Sequence, residues 1–105
     1  MNQPNTIDVA RLQAAAGDAS ALLKVLSNPD RLLLLCQLTQ GEFNVGELEA
    51  MTGIRQPTLS QQLTVLREGQ LVKVRREGKQ MYYSIASVEA QAVLQTLYQL
   101  YCPKD

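Results

Sequence analysis

Two thiols, Cys36 and Cys102, are the side chains of this 105-residue chain best suited to covalent chemistry. A thiolate attacks a disulfide, persulfide or polysulfide sulfur, and a second thiolate can resolve the product. Other reactive sets are missing. There is no histidine, no glycine-rich phosphate loop and no paired-carboxylate motif, so the sequence points away from an enzyme and from any cofactor. Two thiols far apart in sequence also make a poor ligand set, and no metal site is expected. Taken singly, Cys36 in RLLLLCQL has a plain packing explanation, because a free cysteine behaves as a small hydrophobe.

The second kind of chemistry is recognition. In RQPTLSQQLTVLREGQLV, Leu59, Leu63 and Leu66 recur at steps of four and three, which places them on one buried helix face. Thr58, Ser60, Gln61, Thr64 and Val65 fall on the opposite and flanking faces, with Gln62 nearer the boundary, and Gln56, just ahead of the helix, is a further DNA-binding candidate. Glutamine can bond an adenine edge bidentately, hydroxyls donate or accept, and methyl groups can touch thymine. Long Glu and Lys side chains are absent from Gln56 to Leu66, unlike a face meant only for water. A basic segment follows, in which Arg55, Arg75, Arg76 and Lys79 suit DNA phosphates.

Ten Lys and Arg balance ten Asp and Glu over the whole chain. Between Arg55 and Lys79, however, six cations meet two acids, a net charge of +4; the rest of the chain carries −4. The positive pole coincides with the proposed reading helix. Double-stranded DNA is therefore the expected partner, with a protein-interaction module that does not read DNA as the rival from another class.

The elements that must position these residues can be read along the chain. Residues 1–5 look frayed, and a helix is expected from about Ile7 to Leu26. Asn28 and Pro29 can open a second helix, RLLLLCQL, apolar on nearly every side and therefore central. Gly41 closes it. Asn44 with Glu47 resembles a capping box for a third helix that Gly53 ends, and Pro57 is expected at the first position of the fourth. After Gly69, alternation in Leu71, Val72, Val74 and Met81, Tyr82, Tyr83, Ile85 predicts a hairpin around Glu77 and Gly78. Ser87 can cap a last helix whose Val93, Leu94, Leu97, Leu100 and Tyr101 form an apolar stripe. So short a domain offers little to cover that stripe or the apolar side chains of the first helix, such as Leu12. They are expected to pair across a two-fold axis.

The fold class is thus mainly α with a small β-hairpin: a single dimeric winged helix-turn-helix domain over residues 1–105, with five helices and a two-stranded wing. No apolar run approaches the roughly 20 residues that span a bilayer, and MNQPNTID lacks signal-peptide features. The expected location is cytoplasmic, where a disulfide between two cysteines would be transient rather than a permanent staple.

In order, LSNPDRLLLL, FNVGELEAMTG, QPTLSQQLTVLREGQLV and RREGKQMYYSI closely resemble the ArsR/SmtB family of bacterial winged-helix repressors over about residues 19 to 102. That resemblance implies a homodimer on a palindromic operator. Metal sensors of the family carry thiolates at the third helix or carboxylate and histidine ligands on the last. Here the third-helix segment reads Asn44, Val45, Gly46, and histidine is absent. The Cys36 and Cys102 pair is similar instead to the persulfide-responsive BigR, SqrR and YgaV group, and by that resemblance the two residues carry the redox-sensor role. Reactive sulfur species would join them through a disulfide or polysulfide bridge and release the operator. A metal-responsive repressor using Cys36 or Cys102 with Glu89 is the nearest rival.

Overall fold

Helix starts in this chain are fixed by side chains that accept otherwise unpaired backbone N–H groups. In a computed structural model, which describes residues 8–102, Asp8 accepts the Ala10 N–H at 2.9 Å and opens α1, Val9–Leu26. Asn28 accepts from Arg31 N at 3.0 Å ahead of Pro29 and opens α2, Pro29–Leu38. The Asn44–Glu47 capping box is closed in both directions, at 2.8 and 2.9 Å, and starts α3, Val45–Thr52. Gly53, at φ 76°, ends that helix in the left-handed conformation that glycine adopts at no steric cost. Helix α4 spans Thr58–Glu68, so Pro57 occupies the cap rather than the first helical position. Ser87 accepts from Ala90 N at 3.0 Å and opens α5, Val88–Tyr101. The expected fraying of residues 1–5 and the Ile7 helix start lie outside the described residues.

The wing is larger than the two strands expected. Strands β2, Val72–Glu77, and β3, Gln80–Ile85, form the hairpin, and β1, Phe43–Asn44, pairs with the far side of β3. The sheet is antiparallel with order β1-β3-β2. Of the two turn residues, Gly78 has φ 62°, the positive value a two-residue hairpin needs at its first turn position.

Helix α2 is the hub. Leu34, Leu35 and Leu38 are buried on it, and it packs against α1, α3, α4, β3 and α5. Leu48, Leu59, Leu63, Leu66 and Leu94 complete the buried set around it. Leu94 was expected at a dimer interface but is only 1% exposed within a single chain, because α5 turns that side toward α2. Val93 also packs partly against the core, and Leu97 is half-buried. Leu12, Leu100 and Tyr101 remain open to solvent, as do Tyr98 one turn before Tyr101 and Val88 at the opposite end of α5. Every α1 residue from Val9 to Ala21 is exposed. The radius of gyration is 16.6 Å, against the roughly 13 Å of a compact chain of this length. Among the described residues no helix is long and apolar enough to cross a membrane.

Candidate functional site

Helix α4 sorts its residues as its periodicity requires. Leu59, Leu63 and Leu66 face the core, while Ser60, Gln61, Thr64 and Val65 face outward and Thr58 is half-buried at the helix start. The Gln56 carboxamide oxygen accepts the Ser60 N–H at 3.0 Å, so it caps the helix with the group that was assigned to bases. The Thr64 hydroxyl donates to Ser60 O at 2.9 Å, leaving its methyl and its lone pairs toward solvent.

Gln62 does not belong to this outward set. Its side-chain oxygen accepts from Arg31 Nη1 at 3.0 Å, and the same guanidinium donates from Nε to Val25 O at 2.6 Å. The side chain is turned toward α2 and the end of α1, and its oxygen is engaged by Arg31 rather than open to a base.

The wing cations also divide. Arg75 donates from Nη2 to Glu42 at 2.8 Å, from Nε to both Glu42 oxygens at 3.2 Å, and from Nη1 to Glu77 at 2.9 Å. Its guanidinium lies 4.8 Å from the centre of the Tyr82 ring, which faces it across the strand pair. These bonds hold the Arg75 proton more tightly than usual and lower the Glu42 pKa, the hydrogen bond being the largest cause in each case. Arg75 braces the sheet, its guanidinium occupied by Glu42 and Glu77 where a cation open to phosphate was expected. Arg55, Arg76 and Lys79 are exposed and have no ion-pair partner among the described residues, and Lys73, one step along the Arg75 face of β2, joins them.

The two thiols share one groove of about 870 Å³ between α2 and α5. Leu33, Cys36, Gln37 and Gln40 enter from α2 and its C-terminal turn, at spacings that put them on one helix face. Leu94, Tyr98 and Cys102 come from α5 and its end. Both cysteines are free and half-buried. Burial pushes the Cys36 thiol pKa up, and the negative charge of Cys102 raises it further. Among the described residues no group of three or more His, Cys, Asp or Glu side chains could hold a metal ion.

The pattern of the bacterial regulatory protein, arsR family, matches residues 28–74, from the α2 cap into β2. Over 99 residues the chain is 50% identical to the biofilm growth-associated repressor of Agrobacterium fabrum, an alignment covering 94% of this chain and 85% of that protein. The chain belongs to the ArsR family. Two solved structures agree with it along nearly their whole length. The repressor BigR from Xylella fastidiosa superposes with a TM-score of 0.85 at 45% identity, covering 93% of this chain and 100% of that one. HlyU from Vibrio cholerae, in a structure described as reduced, gives 0.84 at 36% identity, covering 89% and 98%.

As an ArsR protein the chain is a DNA-binding transcription regulator and not an enzyme. Sequence reasoning missed Glu42, Arg31 and β1. Glu42 and Arg75 are 33 positions apart, and only the sheet brings them together. Lys73 was visible in the charge count but was not singled out.

Proposed function

We propose that this ArsR protein is a homodimeric repressor that reads a palindromic operator with α4 and releases it when reactive sulfur species bridge Cys36 and Cys102. What carries the reading is the common groove: two cysteines 66 positions apart, the only two in the chain, open onto the same space. Burial raises the Cys36 thiol pKa and so reduces its thiolate fraction; in the proposed sequence Cys102, at the end of α5, attacks first.

The chemistry closes with a persulfide as oxidant. The Cys102 thiolate takes the terminal sulfur of the persulfide, releasing the parent thiol and leaving a persulfide on Cys102. Cys36 then attacks the inner sulfur of that group, forming the Cys36–Cys102 disulfide and expelling hydrogen sulfide. In sum, one persulfide and two protein thiols give one disulfide, one small thiol and one hydrogen sulfide. If a second persulfide first converts Cys36 to its own persulfide, loss of one hydrogen sulfide from the two protein persulfides leaves a trisulfide. The bridge would tie α2 to α5 and alter the spacing of the two reading helices, which must reach successive turns of the duplex.

Several features support a dimer. The uncovered α1 face and the exposed Leu100 and Tyr101 leave apolar area that a second copy can bury, and a two-fold pair matches a palindrome. For base reading, Ser60, Gln61 and Thr64 are the outward candidates, with Thr58 at the helix start; Arg55, Lys73, Arg76 and Lys79 are placed for phosphates. A reducing, cytoplasmic setting fits two free thiols that cycle.

Intact-mass spectrometry after treatment with glutathione persulfide tests the sulfur step. The expected product is a bridge between Cys36 and Cys102 that has lost two hydrogens and carries zero or more whole sulfur atoms. Two independently modified thiols with no bridge would refute it.

A further inference from the structure

Arg31 sits where three helices meet and satisfies an acceptor on two of them. From the first turn of α2 its Nε donates to Val25 O at 2.6 Å and its Nη2 to Lys24 O at 3.5 Å, both carbonyls in the last turn of α1. Lys24 O is already met by the Ser27 N–H and hydroxyl, but helix C-termini leave carbonyls such as Val25 O without an intrahelical donor, and a guanidinium there also meets the negative end of the helix dipole. From the same planar group, Nη1 donates to Gln62 Oε1 at 3.0 Å, near the middle of α4. The fork geometry of arginine allows one side chain to hold both neighbours, whereas lysine brings a single charged point.

We propose that Arg31 is a positioning residue for the reading helix, and that its hydrogen bond to Gln62 is the joint through which movement of α2 reaches the DNA-facing side of α4. The contact is one of few polar links to α4 from another element, since α2 and α4 otherwise meet through leucines. Apolar packing resists separation but is not directional, whereas a charge-assisted hydrogen bond fixes rotation as well as distance. Gln62 is followed on α4 by Thr64 and preceded by Ser60 and Gln61, so rotating α4 about its axis at this joint re-aims every outward side chain.

The other half of the device is the placement of Cys36. It lies five residues after Arg31 on the same helix, about 140° around and about 7.5 Å along. One side of α2 therefore faces the thiol groove and another grips α4 and the end of α1. Buried Leu34, Leu35 and Leu38 tie the helix together as a stiff rod between them. Drawing Cys36 toward α5 displaces the rod, and Arg31 carries the displacement to α4. This second half rests on the reading of Cys36 and Cys102 as the sulfur-responsive pair.

The test uses the full chain and a duplex enriched from a random pool by the reduced parent protein. Operator affinity is measured for the parent, Arg31→Lys, Gln62→Ala and the double variant, each reduced and after persulfide treatment. Melting curves confirm folding, and Gln62→Ala is a half-exposed change that keeps the core intact should Arg31→Lys unfold. Each single variant is expected to lose about tenfold in reduced-state affinity, the scale of one hydrogen bond to a charged group. The double variant should lose no more than either single one. Binding to a random duplex should stay unchanged, and the ratio of reduced to persulfide-treated affinity should shrink in all three. Losses that multiply in the double variant would overturn the joint, as would a Gln62→Ala loss confined to one base position, the mark of direct reading. A parent protein whose affinity ignores persulfide, with the coupled losses still present in the variants, would sink the sulfur reading and the transmission step while upholding Arg31 as the positioning residue.

Discussion

Substituting the wing arginines one at a time should separate two residues that the sequence makes look alike. Arg75 is held by a bidentate Glu42, by Glu77 and by the Tyr82 ring, whereas the neighbouring Arg76 has no ion-pair partner among the described residues. One exposed ion pair is worth only about 0–1 kcal/mol and could yield to a phosphate. Three partners acting on one guanidinium form a network, which holds better than an isolated pair. Counting Arg55, Lys73, Arg76 and Lys79 in each of two subunits gives eight phosphate contacts and a log–log salt slope of about −7.2; adding Arg75 would make it about −9.0. Arg76→Ala removes two contacts per dimer and should flatten the slope by about 1.8. Arg75→Ala should leave it nearly unchanged. Fluorescence anisotropy with a labelled operator, titrated at four or more salt concentrations, reads both slopes. Equal flattening by the two substitutions would show that Arg75 leaves its carboxylates for the DNA, and the reasoning from the clamp would be wrong.

Further outcomes follow from burial and capping. Leu94→Ala should cost about 2–5 kcal/mol of folding stability, seen as a lowered denaturation midpoint, because Leu94 fills the core of each chain. Leu100→Ser with Tyr101→Ser should instead leave each chain folded and shift sedimentation toward monomer, since both side chains are exposed in one copy. Asn44→Ala opens the α3 capping box and should destabilise by about 1 kcal/mol in thermal denaturation. For Cys36, the raised pKa means that less thiolate is present at a given pH, and the charge of Cys102 is its second cause. Cys102→Ser should therefore move the pH profile of Cys36 alkylation to lower pH and speed the reaction at pH 8; an unchanged profile would count against electrical contact between the thiols.

Local signals in the sequence were reliable wherever one short segment decides the outcome. Asn28 with Pro29, Asn44 with Glu47, and Ser87 each sit at the start of a helix, and the leucine spacing of α4 gives its buried face directly. The ArsR resemblance extended this to the whole domain. What stayed hidden depends on distant partners. A two-residue β1 is too short to show any alternation, and it exists because β3 offers it an edge. Gln62 and Gln61 are the same residue type one step apart, and only the arrival of Arg31 separates an inward side chain from an outward one. The α5 stripe shows which residues are apolar, but not whether the chain itself or a second copy covers each; Leu94 and Leu100 fall on opposite sides of that division. Charge counting likewise found the basic segment but could not see that Glu42 would occupy one of its arginines.

The proposed thiol switch is tested most directly by operator affinity of a single preparation measured reduced, after glutathione persulfide, and after re-reduction, alongside Cys36→Ser and Cys102→Ser. The account predicts a reversible loss of about 5- to 150-fold in the parent protein and none in either variant. Equal operator affinity in every sample would contradict it.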